Sequence, residues 1–310
     1  MKDITAPGVI REEFNLQLCG LSFHRVIFPV SLFIILSMVV TALYDPAAFG
    51  SSLEGLKSWI LQNFDWFMII MGNLAVAFCI LLALSPLGRV RLGGKEARPE
   101  FSTLSWFSMM FAAGMGVGLL YWGVAEPVAQ YTAWWKTPLG VTEYTPQAAE
   151  LAVGTSVYHW GLHPWAFYLT TAMVVGFFSY NKGLPLSLSS ALKPLIGDGY
   201  KGLPGQLVDV FTVVLTVFGL ATSLGLGAMQ ATAGISHVLG IPNNFAFQLL
   251  FIAVVTGIAG FSLWRGLDAG VKLLSNLNML LAFGLLALVV FGVGALTFFT
   301  GMFDAAASYG

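Results

Sequence analysis

Hydrophobic and polar positions along this chain alternate on the scale of tens of residues. Seven apolar runs stand out, at roughly 26–44, 66–86, 103–125, 150–178, 208–236, 245–264 and 277–300. A helix needs about 20 apolar residues to cross the hydrocarbon core of a bilayer, so each run predicts one transmembrane helix. The longer runs predict tilt, or extension beyond the bilayer. The turn-rich segment LPLSLSSALKPLIGDGYKGLPG (184–205) separates the fourth run from the fifth.

Composition agrees with that pattern. The chain is 57% hydrophobic and 9% charged, whereas soluble domains carry about 25% charge, and the fold class expected is an all-α polytopic membrane protein. A net charge of −1 gives nucleic-acid binding no electrostatic footing. The two cysteines, Cys19 and Cys79, imply no disulfide framework, and no cofactor is expected. The first run begins only near Val26, behind a mixed-charge tail with Asp3, Glu12 and Glu13, which argues against a cleaved signal peptide.

The basic residues set the orientation. Lys2, Arg11 and Arg25 precede the first run, and Arg89, Arg91, Lys95 and Arg98 follow the second. Lys182, Lys193 and Lys201 follow the fourth, and Arg265 and Lys272 follow the sixth. All fall on one side of the membrane, against Lys57 and Lys136 on the other. Basic loops stay inside, so the N-terminus is expected in the cytoplasm, with Gly310 outside. Arg265, Asp268 and Lys272 read as a short solvated connection.

The third run carries the first candidate chemistry. FSTLSWFSMMFAAGMGVGLLYWGVAEP (101–127) holds no charge before Glu126, yet its middle is Gly114-Met115-Gly116-Val117-Gly118. Each glycine costs about 1 kcal/mol relative to alanine inside a helix. The cluster predicts a helix broken at membrane depth, tolerated where it lines a cavity. The competing reading is close helix packing through the small-residue spacing of Gly114 and Gly118. A dinucleotide fingerprint is excluded, because no strand precedes the glycines and no acidic ribose partner follows. Glu126-Pro127 reads as the end of this helix.

The fourth run carries Tyr158-His159-Trp160-Gly161-Leu162-His163-Pro164-Trp165-Ala166-Phe167-Tyr168. Trp165 and Tyr168 share a helix face at i and i+3. Pro164 is expected to bend the helix and bring Trp160 toward them. Such rings form either a cage for a quaternary ammonium group or an interfacial aromatic belt. His159 and His163, at i and i+4, resemble a metal pair, but a zincin would place Glu where Trp160 stands. A satisfied buried histidine pair is the plainer reading, with a proton relay as the lesser one. In the fifth run Thr212, Thr216, Thr222 and Ser223 are expected to bond back to their own helix carbonyls.

AAGMGVGLLYWGVAEP (112–127) followed by TSVYHWGLHPWAFY (155–168) resembles, in order and in spacing, the betaine/choline/carnitine transporter family. The likeness runs from about residue 10 to the end. It implies a LeuT-type inverted-repeat fold of twelve spans, two leading helices before two five-helix repeats. On that plan residues 1–25 are a cytoplasmic tail and 26–100 the two leading helices. Residues 101–300 are the first repeat, and 301–310 an external loop ahead of a second repeat. The chain is then expected to be the N-terminal portion of a transporter, unable to transport alone.

The resemblance implies site residues too. Trp160, Trp165 and Tyr168 would form part of a box for a trimethylammonium group. Backbone amides at Met115, Gly116 and Gly118 would face a substrate carboxylate. The carbonyls of Ala112 and Met115 would serve one sodium ion, and the Thr216 hydroxyl a second. Leu220 stands where the second site expects another threonine, which weakens that site. Proton-coupled relatives carry an acid at the position of Gly118, so glycine there leans toward sodium coupling. The expected function is import of a compatible solute such as glycine betaine across the inner (plasma) membrane, by a full-length homotrimer. Choline or carnitine transport, by proton coupling or exchange, is the alternative, and a membrane osmolyte sensor is the alternative outside transport. No enzyme is expected.

Overall fold

In the computed structural model, residues 15–18, 21–114, 116–266 and 270–309 are described. Residues 1–14, and also Cys19, Met115, Asp268 and Gly310, lie outside the described residues. A two-stranded antiparallel hairpin comes first, β1 (Asn15–Leu18) and β2 (Leu21–His24), with Asn15 opposite His24. Among the described residues twelve α-helices follow: α1 (Ile27–Tyr44), α2 (Pro46–Leu84), α3 (Thr103–Gly114), α4 (Val117–Tyr131), α5 (Pro146–Trp160) and α6 (Leu162–Gly176). Then come α7 (Leu188–Ala191), α8 (Lys193–Ile196), α9 (Leu203–Leu239), α10 (Phe245–Trp264), α11 (Lys272–Val293) and α12 (Ala295–Tyr309).

The described helices α1, α2, α9, α10 and α11 are each long and apolar enough to cross a membrane by length and composition. The chain is an all-α polytopic membrane protein apart from its small hairpin. The third and fourth apolar runs are each divided between two shorter helices, α3 with α4 and α5 with α6. The seventh run stops short of its expected end, because Gly294 takes φ +90° and closes α11. Residues 301–309, expected as a loop, continue α12.

The chain divides into two units. One holds the residues up to Arg98 together with Leu162–Gly219. Here His24 Nδ1 accepts from the backbone N–H of Val26 and of Ile27, both at 3.2 Å, and so satisfies donors that the start of α1 leaves open. Asp45 does the same for α2, accepting from the Ala48 N–H at 2.9 Å, with Pro46 in the first turn where its missing N–H costs nothing. Helix α2 is 39 residues long, and only its C-terminal half is a continuous apolar run. It packs along α6. A Cβ at Gly72 would come within 3.3 Å of the His163 ring, and Cys79 Sγ lies 3.5 Å from Thr170 Oγ1. Asn181 ties the loop after α2 to the end of α6, accepting from the Gly93 N–H at 3.0 Å and donating to the Arg91 carbonyl at 2.9 Å.

The other unit holds Pro99–Gly161 and the residues from Leu220 onward. Helix α4 packs on α5, α5 on α12 and α3 on α11. Its buried positions are mostly small: Ala129, Ala148, Ala152, Ser105, Ser108 and Ser275. Lipid tails are as apolar as leucine side chains, so helices in a bilayer associate through small residues that let backbones approach. Gly154 shows this closely, since a Cβ there would lie 2.6 Å from the Ser308 carbonyl oxygen of α12. Asn276 adds a polar tie, donating to Ser105 Oγ at 3.4 Å. The large apolar side chains face outward along the long helices.

Candidate functional site

The glycine cluster does break its helix. Helix α3 ends at Gly114, α4 begins at Val117, and Gly116 between them has φ −119° and ψ −126°, helical in neither sense. The last four carbonyls of a helix have no partner within it, and for α3 these include Ala112. Freed oxygens of that kind, beside the exposed backbone of Gly116, are the donor set that a small cation takes. Met115, expected to serve both ion and substrate, lies outside the described residues.

A second break interrupts the fourth run, at Gly161 and not at Pro164. Gly161 has φ −90° and ψ −131°, and its N–H donates to the Val157 carbonyl at 2.6 Å. A Cβ there would sit 2.5 Å from the same carbonyl oxygen, so this closure requires glycine. Pro164 falls in the first turn of α6, where a missing N–H leaves no bond unmade. It bends nothing.

These breaks place the expected aromatic residues. Trp165 and Tyr168 meet on one face of α6, with ring centroids 5.8 Å apart and planes at 41°. Trp160 closes α5 and belongs to the other unit. Its six-membered ring edge lies over the first break: a Cβ at Gly118 would fall 2.9 Å from Cη2 and 3.1 Å from Cζ3. Glycine at 118 is therefore a space requirement for the indole, besides its place in the broken segment.

The residue that the sequence reading missed is Glu126. Read there as the end of a helix, it lies inside α4, which continues through Pro127 to Tyr131. It is 4% exposed. Oε2 accepts from Trp160 Nε1 at 2.8 Å, and Oε1 accepts from Gln130 Nε2 at 3.1 Å. His159 Nδ1 also meets Oε1. The signal was present, because a lone acidic residue in an uncharged run of spanning length marks a functional position by default. The histidines correct the expectation of a buried pair. His159 is exposed and engages Glu126, while His163 belongs to the other unit and faces Asn73 Oδ1 at 3.3 Å. Thr216 Oγ1 donates to the Thr212 carbonyl at 2.7 Å, the back-bond expected of a helical hydroxyl, and Leu220 is exposed.

Helices broken within apolar runs of spanning length, as α3/α4 and α5/α6 are, are a feature of transporter cores. A sequence model of the family described as BCCT, betaine/carnitine/choline family transporter, matches residues 26–310. The chain belongs to this family. Among curated relatives of this BCCT chain, a glycine betaine transporter of Vibrio parahaemolyticus is 51% identical over 276 residues, covering 89% of this chain and 53% of the relative. The glycine betaine transporter OpuD of Bacillus subtilis is 41% identical over 86% of this chain and 52% of its own length. A high-affinity choline transport protein of Escherichia coli K12 is 40% identical over 75% of this chain and 34% of its own length. The BCCT chain thus spans about half the length of the curated relatives it matches. The family is one of transporters, not of enzymes.

Proposed function

We propose that this chain is the N-terminal part of a secondary active transporter that imports a trimethylammonium compatible solute, glycine betaine first, coupled to sodium. The observation that carries this reading is the Trp160 ring seated on Gly118, where the aromatic end of one broken helix meets the glycine break of another. Ring faces attract a large, weakly hydrated cation at about 0.5–2 kcal/mol per well-placed ring, while an acidic side chain would hold any cation. Trp160, Trp165 and Tyr168 take the ammonium head, and the amides about Met115, Gly116 and Gly118 take the carboxylate. Ala112 and Met115 carbonyls contribute to one sodium site, which the full-length protein completes. Thr216 keeps oxygen lone pairs for a second site, but Leu220 gives that site nothing, so one sodium per cycle is the simpler stoichiometry. The working protein is a homotrimer in the inner membrane with its N-terminus in the cytoplasm.

The deciding experiment is uptake of labelled glycine betaine in a strain that relies on this gene. Replacing external sodium with potassium should abolish uptake, and the sodium dependence should have a Hill coefficient near one. Sodium-independent uptake driven by a proton gradient would overturn the coupling. Excess choline separates the two substrate readings suggested by the relatives' names. Weak competition fits betaine, whose carboxylate choline lacks, and choline uptake with little betaine uptake would reverse the assignment.

A further inference from the structure

We propose that Glu126 is the positioning residue of Trp160, fixing the indole plane so that its face is presented to the substrate cation. This rests on the reading of Trp160 as part of the cage. Three atoms define a ring's plane, and Trp160 is engaged at one on its pyrrole edge and two on its benzene edge. On the pyrrole edge its Nε1–H donates to Glu126 Oε2 at 2.8 Å. On the benzene edge Cη2 and Cζ3 lie where a Cβ on Gly118 would press at 2.9 Å and 3.1 Å. Both anchors sit on α4, one just after the helix break and the other two turns further on.

The carboxylate is itself held. It is 4% exposed, and Gln130 and His159 occupy Oε1. That leaves Oε2 to the indole. Burying a carboxylate is costly unless its oxygens are hydrogen-bonded, so the donors that satisfy Glu126 also lock its rotamer. A hydrogen bond to a charged acceptor is shorter and roughly twice as strong as a neutral one. Negative charge on the indole N–H also raises the electron density of the ring face that a cation meets. One side chain both orients the ring and strengthens it as a cation site.

The test compares Glu126→Gln, Trp160→Phe and the double variant. It measures half-saturation and maximal rate of glycine betaine uptake in a strain that relies on this gene, normalised to protein in the membrane. Glu126→Gln keeps the shape but loses the charge, and should raise half-saturation about three- to tenfold with little change in maximal rate. It should also narrow the preference for betaine over its less methylated analogue dimethylglycine. Trp160→Phe keeps a ring without the N–H, so adding Glu126→Gln to it should raise half-saturation no further. A residue with a merely structural role would lower yield and maximal rate and leave half-saturation and the methylation preference unmoved. That outcome, or effects that multiply in the double variant, overturns the proposal while the cage stands. If Trp160→Phe alone leaves half-saturation unchanged, the cage reading fails, and the positioning role falls with it. Should Glu126→Gln fail to reach the membrane, Glu126→Asp retains the charge at shorter reach and is judged by the same double-variant criterion.

Discussion

At the scale of single residues, the informative ones were those whose partners lie nearby in sequence. Trp165 and Tyr168 are one helical turn apart, and their rings meet as that spacing implies. Replacing Trp165 with leucine keeps an apolar side chain but removes a ring face worth about 1–2 kcal/mol to a quaternary ammonium group, so half-saturation for betaine should rise roughly 5- to 30-fold. Uptake kinetics check this, and an unchanged half-saturation would remove Trp165 from the cage. Glu126 was not legible in the same way. Its partners His159 and Trp160 lie 33 and 34 positions further on, in the next helix. Its lone charge in an apolar run marks the position, but only tertiary packing shows which groups it accepts from. Thr216 is the reverse case: its donor goes to its own helix, as local chemistry alone foretells.

Among the elements, interruptions carry the most consequence. The glycine cluster was legible because three glycines in five residues weaken any helix, whereas the break at Gly161 was assigned to Pro164, the stronger breaker on general grounds. Proline breaks a helix where its N–H is needed, and three residues into α6 it is not. The break therefore depends on Gly161. Alanine there places a methyl group against the Val157 carbonyl and should cost about 1–3 kcal/mol of overpacking, seen as a lower melting temperature of the detergent-solubilised protein; unchanged melting would show that the closure tolerates a side chain. The start of α1 supplies a pH-dependent case. Burial lowers the His24 pKa below its ordinary 6.5, against a smaller upward pull from Asp209, and Nδ1 can accept from Val26 and Ile27 only while unprotonated. The unfolded chain takes up the proton more readily, so this stability is present above pH about 6.5 and lost as pH falls from there through the lower folded value. Between pH 7.5 and 5.5 the melting temperature of His24→Gln, which keeps an acceptor but does not titrate, should fall less than that of the parent. Equal falls would place the sensitivity elsewhere.

For the molecule as a whole, seven apolar runs and the side on which lysine and arginine gather foretold a polytopic chain. They could not foretell that two runs would each become a pair of short helices, because hydropathy averages over the very residues that break them. Orientation remains a prediction at this scale. Alkaline phosphatase fused after Phe49 should be active, on the outer side, and fused after Gly94 inactive, on the inner side; the reverse pattern would invert the assignment. Helix α2 has a further consequence. Its 39 residues extend about 58 Å at 1.5 Å per residue, against about 30 Å of hydrocarbon. The surplus, the stretch with Ser51, Ser52, Glu54 and Lys57, is water-loving, and Lys57 and Glu54 pair in solvent at 3.0 Å. If the orientation predicted from the basic loops holds, that end stands as a helical post in the space beyond the cell membrane. A protease or a lysine-directed label added to spheroplasts would find Lys57 there without entering the bilayer, a handle for counting these molecules at the surface of living cells.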